Sequence, residues 1–131
     1  MARPASPQLT EAEQRIMDVL WQRGEASVRD LTDALEAEHG LAYTTVLTTI
    51  RIMTDKGYVG FRKEGRAHIY RPLLSREGAQ KKALGSLVKS LFGGSAQSLA
   101  QHLVKSEQLT LEDIEALRAE LLASEKKEDE A

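Results

Sequence analysis

Three short amphipathic helices, a two-stranded hairpin and then purely helical sequence predict a mostly α fold with a small β wing. The order of elements is that of a winged helix-turn-helix carrying a C-terminal helical arm. Three observations carry this reading: capping signals that precede the first two apolar stripes, a change from helical to alternating period near residue 58, and a return to helical period after Pro72. At 131 residues the chain fits one domain of ordinary size or one small domain plus an oligomerisation arm. Its 5% aromatic content requires an aliphatic core.

The first helix starts at Thr10-Glu11-Ala12-Glu13, which has the form of a capping box. Ile16, Val19 and Leu20, flanked by Met17 and Trp21, form its apolar stripe, and Gly24 ends it. Ser27 and Asp30 repeat the start signal for a second helix on Val28, Leu31, Ala34 and Leu35, which closes near His39-Gly40. A third helix runs from Tyr43 to Lys56, with Gly57 suited to the left-handed closing position. On a helical wheel centred on Ile50, the residues Tyr43, Val46, Leu47, Met53 and Thr54 face inward. Thr44, Thr45, Thr48, Ile52 and Asp55 face outward, with Arg51 at the edge.

Tyr58 to Lys63 and Arg66 to Arg71 alternate as strands around Glu64-Gly65, and Pro72 stops the second. Pairing Lys63 with Arg66 puts Val59, Phe61, His68 and Tyr70 on the inner face, an assignment that a one-residue register slip would reverse. Ser75 caps a fourth helix that presents Ala79, Leu84, Leu87, Val88, Leu91 and Phe92 up to the Gly93-Gly94-Ser95 break. A fifth, from about Ala96 to Lys105, presents Leu99, Leu103 and Val104. A sixth starts at Thr110 with Asp113 in a box-like cap and Leu109 and Ile114 as a hydrophobic staple, then continues through Leu117, Leu121 and Leu122 to about Ser124. The expected organisation is a tail over 1–8, a winged domain over 9–74, a helical dimerisation region over 75–124 and a charged tail over 125–131.

Charge is unevenly spread. Residues 1–40 hold four basic and eight acidic side chains, a balance of −4, whereas residues 41–72 hold six basic and two acidic, a balance of +4. A localised basic segment in an acidic protein suits either a solvated face or a phosphate-binding surface. The outward threonines of the third helix suit either option, and it is the basic cluster on the hairpin that favours the second. Their hydroxyls can meet phosphates or base edges and their methyls can pack on thymine, while Arg51 can reach backbone or guanine. The helix begins at Ala42 or Tyr43, neither a good cap, so its first N–H groups are open to an anion. Arg62, Lys63 and Arg66 cluster at the hairpin tip, where they can neutralise phosphates.

With no cysteine, thiol catalysis, disulfides and thiolate metal sites are excluded. His39, His68 and His102 fall in three different elements, and neither a nucleophile elbow nor a phosphate-cradling glycine loop is present. No enzyme activity, cofactor or metal is therefore expected. No segment is apolar enough for a membrane span or signal-peptide core, which leads to the expectation of a cytoplasmic protein without membrane insertion. The competing function is a winged-helix adaptor that binds protein rather than specific DNA.

Over about residues 9–124 the sequence resembles the BlaI/MecI/CopY group, the penicillinase-repressor family of transcriptional regulators. The resemblance rests on Leu9-Thr10-Glu11-Ala12-Glu13, Ile16-Met17, Leu20-Trp21, Ala42-Tyr43-Thr44-Thr45-Val46, Lys56-Gly57-Tyr58-Val59 and Gly65-Arg66-Ala67-His68-Ile69-Tyr70-Arg71-Pro72. It implies a homodimeric repressor on a double-stranded operator dyad with TACA/TGTA-like half-sites. DNA contacts would come from Thr44, Thr45, Thr48, Arg51, Ile52, Arg62, Lys63 and Arg66. Dimer contacts would come from Leu84, Leu87, Leu91, Leu99, Leu103, Ile114, Leu117 and Leu121. Many members have an arginine where Ile52 stands, and the metal-binding cysteine pairs of the copper-responsive branch are missing. In the β-lactam-responsive branch a membrane sensor with a metalloprotease domain triggers cleavage of an Asn-Phe bond. His102-Leu103 occupies that place here, so the implied release is proteolysis in this region, by that sensor or a protease downstream of it.

Overall fold

A computed structural model describes residues 9–130; the expected tail over 1–8 lies outside them. The chain divides into two compact units, the first ending at Ser86 and the second beginning at Leu87.

The first unit opens with α1 (Glu11–Arg23), whose capping box is formed as the sequence predicts. The Glu13 amide donates to Thr10 Oγ1 at 3.2 Å and the Thr10 amide to Glu13 Oε1 at 2.9 Å. The two-residue strand β1 (Ala26–Ser27) leads into α2 (Val28–His39), where Ser27 and Asp30 make a second box. α3 (Tyr43–Lys56) is closed by Gly57 at φ 80°. The wing is β2 (Val59–Glu64) paired antiparallel with β3 (Ala67–Pro72), and β1 adds a third strand on the free side of β3, giving the order β1-β3-β2. β1 escaped sequence analysis because two residues are too few to show alternation.

The core is aliphatic: Ile16, Met17 and Leu20 from α1, Leu31 and Leu35 from α2, and Val46, Ile50 and Met53 from α3 are buried together. Tyr58, Val59 and Tyr70 close it from the wing side. Of the inner residues expected on α3, Tyr43 is instead 51% exposed. α3 begins at this residue, so its ring has no preceding helical turn to pack on.

The hairpin turns one residue later than expected. Glu64 pairs with Ala67 and Lys63 with His68, which leaves Gly65-Arg66 as the loop. Gly65 at φ 62° takes the first loop position, where a two-residue turn of the II′ kind requires a positive φ. Advancing the turn moves both strands together, so every residue keeps its side of the sheet and the inner face survives. Val59 and Tyr70 enter the core as expected, but Phe61, nearer the tip, is 41% exposed and stacks on His68 with ring centroids 4.4 Å apart.

Two long-range contacts tie these elements. Lys56 Nζ at the end of α3 meets the buried Glu13 Oε2 at 2.9 Å, and Trp21 Nε1 donates to the Leu74 carbonyl at 2.9 Å where the chain leaves the wing.

The α4 helix spans Arg76–Leu91. In the second unit, α5 (Ala96–Lys105) is capped by Ser95, and α6 (Leu111–Glu130) by the expected reciprocal pair of Thr110 and Asp113. α6 does not stop near Ser124. Good helix formers, Glu125-Lys126-Lys127-Glu128, carry it through residues that were expected to be a tail. Among the described residues 87–129 none is buried.

Burial would raise the Glu13 pKa, but the Thr10 backbone N–H and the Lys56 ammonium outweigh it and hold the carboxyl below its ordinary value of 4.5. Its stabilisation is therefore complete above that value and fades as pH falls through the lower folded one. Lys56→Met strands a buried carboxylate and should cost about 3 kcal/mol. Glu13→Gln with Lys56→Met should restore most of this loss, as read by denaturant unfolding at pH 7. A Lys56→Met protein as stable as wild type would contradict the assignment.

Candidate nucleic-acid interface

Thr44, Thr45 and Thr48 are all exposed on α3 and, with Thr49, line a shallow concavity on its N-terminal half. The Thr49 hydroxyl is committed to the Thr45 carbonyl at 2.7 Å, whereas those of Thr44, Thr45 and Thr48 make no internal hydrogen bond among the described residues. Ala42, the N-cap, offers no side-chain acceptor, and the first turn has no acidic residue. The helix thus presents free hydroxyls, free N–H groups and the positive end of its dipole at one place. Arg51 is exposed half-way along, while Ile52, expected outward, is half-buried.

The wing divides its charges. Lys63 and Arg66 are exposed. Arg62 is engaged: one guanidinium nitrogen donates to Glu64 at 2.8 Å and another to Glu25, in the turn before β1, at 2.9 Å. Glu25 first and Glu64 second raise its already high pKa. Arg62 therefore stands in a locally acidic triad, and its cation is already compensated. Local patterning could not show this, because Glu25 lies 37 residues away in sequence. Lys56, another of the basic residues counted in this segment, spends its charge inside the fold on Glu13.

Between the start of α2, the start of α3 and β3 lies a groove of 370 Å³ that the exposed Tyr43 helps to line. Arg29, from the first turn of α2, also lines it. Sequence reasoning missed Arg29 because it sits outside the basic segment and beside the acidic Asp30.

The residues expected at a dimer interface fall on α4, α5 and α6. Leu84, Leu91, Leu117 and Leu121 are 52%, 73%, 51% and 61% exposed, and Ile114 is 38% exposed. Leu87, Leu99 and Leu103 are half-buried. His102 packs edge-on against Phe92, with ring centroids 5.4 Å apart. The Leu103 carbonyl accepts from the Gln108 and Leu109 amides, which ends α5. Between α5 and α6, Glu107 adopts φ 62°, a left-handed conformation that a non-glycine residue takes at some cost. Among the described residues no cluster of His, Asp and Glu could hold a metal ion, and no helix is long and apolar enough to cross a membrane.

Known proteins share this arrangement. The solution structure of the DNA binding domain of the repressor BlaI superposes with a TM-score of 0.52 at 24% identity, covering 58% of this chain and 93% of that one. The likeness fixes the winged-helix fold. The transcriptional regulator BlaI of Mycobacterium tuberculosis is 35% identical over 118 residues, covering 86% of this chain and 82% of its own. The penicillinase repressor of Bacillus licheniformis is 23% identical over 111 residues, covering 85% and 87%. The penicillinase repressor family profile matches residues 9–123, nearly the whole described chain, and on that match together with the 35% relative the chain belongs to the penicillinase repressor family.

Proposed function

We infer that the protein is a transcriptional repressor that binds an operator dyad as a homodimer and is released by proteolysis of its C-terminal region. The observation that carries the DNA reading is the uncapped, acid-free start of α3 with three free threonine hydroxyls, set beside a wing bearing Lys63 and Arg66. In this reading Thr45 and Thr48 read base edges, Thr44 and the first amides of α3 hold phosphate, and Arg51 reaches backbone or guanine. The half-buried Ile52 supplies at most an apolar edge. Arg62 adds little attraction because Glu25 and Glu64 already neutralise it.

Support for the homodimer comes from the second unit. A helical segment without one buried residue among those described has too little apolar contact to offset the entropy of ordering it, so its leucines need a second surface. A second copy offers the same stripe, and joining two half-site readers raises operator affinity through effective concentration. Proteolysis is supported by the segments that flank α5. Gly93 and Gly94 at positive φ and the strained Glu107 bracket a ten-residue helix with little tertiary support, the kind of element that opens locally and is cut. No cofactor is needed, and the partners are operator DNA, a second copy and a protease coupled to a membrane sensor.

Selection from random duplexes, followed by footprinting, should yield a pseudo-palindrome of TACA/TGTA-like half-sites spaced by a whole number of turns, about 10 bp each. Thr45→Ala or Thr48→Ala should relax base preference there. Arg66→Ala should weaken every duplex and lower the salt slope by about 0.9, whereas Arg62→Ala should change that slope far less. No protected dyad on any selected duplex would refute operator binding.

Leu117 is exposed in the single chain, so Leu117→Asp should leave the first unit intact and act only on pairing. Sedimentation at about 10 μM should then change from dimer to monomer, with operator affinity falling at least tenfold. A wild-type chain that sediments as a monomer would rule out the homodimer.

For release, fragments should be mapped by mass after induction in the native host. A cut between Phe92 and Thr110 is expected, at or near His102-Leu103. Intact protein in derepressed cells, or cuts confined to the first 90 or so residues, would exclude the mechanism.

A further inference from the structure

The groove between α2, α3 and β3 has the makings of an anion site. Ser27, Arg29, Tyr43, Arg66, His68 and Tyr70 contribute to its lining, and no carboxylate does. Asp30, next to Arg29, is turned back on the Ser27 amide in the α2 capping box and does not line the groove. Tyr70 supplies an independent observation. It is 96% buried by its 4% exposure, yet its hydroxyl has no hydrogen-bond partner among the described residues. No fully buried side-chain oxygen or nitrogen lacks a partner, so this hydroxyl must open to solvent, and the groove is where it does so. Open to the groove, this hydroxyl can exchange its water for a charged acceptor, to which its hydrogen bond is stronger. Burial raises the Tyr70 pKa against a smaller lowering by the Arg51 cation, so the phenol stays protonated and able to donate.

The position of the groove suggests the acceptor. It adjoins the free N-terminal turn of α3 on one side and the wing tip on the other. In a winged helix lying along a duplex, the strand that passes between recognition helix and wing places a phosphate at such a gap. We propose that this groove seats one DNA backbone phosphate, held by the Arg29 and Arg66 guanidinium groups and by the Tyr70 hydroxyl. This rests on the operator-binding reading and adds to it a contact from α2 and one from the inner face of the wing. Because a phosphate carries no base identity, the contact raises affinity for all duplexes alike and fixes the wing against the strand.

The test uses the full-length protein, a selected operator duplex and an unrelated duplex of equal length. Tyr70→Phe removes the hydroxyl and keeps the ring, so melting should not change. Affinity should fall roughly tenfold on both duplexes, the loss expected for one hydrogen bond to a charged group. Arg29→Gln should lower the salt slope on both, by part of the roughly 0.9 that one phosphate contributes, because Arg66 shares it. Ethylation interference on the operator should lose one phosphate signal per half-site in either variant. If wild type binds the operator and both variants match it in affinity, slope and interference pattern, the phosphate seat is wrong while the repressor reading stands. If wild type binds no duplex, both fall. Thermal protection of wild type by inorganic phosphate, lost in Tyr70→Phe while duplex binding is unchanged in both variants, would assign the groove to a free anion and overturn the DNA contact.

Discussion

The ion pair between Glu13 and Lys56 is the constraint on which the winged unit depends. Glu13 completes the capping box that starts α1, and its second carboxylate oxygen takes the ammonium from the last residue of α3. One buried side chain thus ties the start of one helix to the end of another. Immediately beyond Lys56 the chain turns at Gly57, and the Tyr58 carbonyl accepts the Leu73 and Leu74 amides, closing the base of the wing. A buried pair of this kind contributes little net stability, because desolvation offsets most of the Coulomb attraction. Its effect is on geometry. The rotation of α3 about its own axis, and hence which threonines face outward, is set by a directional contact as well as by non-directional packing.

The same pair illustrates what the sequence makes legible. Caps, stripes and the closing glycines of α1, α2 and α3 are local, and each could be read from neighbours three or four residues apart. The inner hairpin face could also be read, since shifting the turn preserves parity even though Gly65 moved it by one residue. Contacts between distant residues could not. Glu13 reads as a cap, and nothing within a helical turn shows that it also binds Lys56, 43 residues later. Tyr43 reads as an inner residue because a wheel ignores where the helix starts, and Arg62 reads as free because Glu25 belongs to another element. The end of α6 was misjudged for another reason: a charged helix and a charged tail have the same composition, and only its continuity with the apolar stripe separates them.

Charge counting shows the limit of segment arithmetic. The balance of +4 over residues 41–72 includes Lys56, which faces inward, and Arg62, which sits between two carboxylates. The cations exposed to a ligand on the recognition side are Arg51, Lys63 and Arg66, joined by Arg29 from outside the counted segment. Surface potential follows the pairing of charges in space, and pairing withdraws two of the six counted cations from it.

The single tryptophan has a consequence for observation. Trp21 donates its indole N–H to the Leu74 carbonyl and lies under the Arg76 guanidinium, so its surroundings change whenever α1 and the exit from the wing separate. All three tyrosines also belong to the first unit, and the second has only Phe92. Near-ultraviolet circular dichroism and intrinsic fluorescence therefore report the winged unit alone, while the second unit is seen only through far-ultraviolet helicity. The natural chain can thus be unfolded with the winged unit followed alone in one optical channel and the loss of all helices in another, without any label.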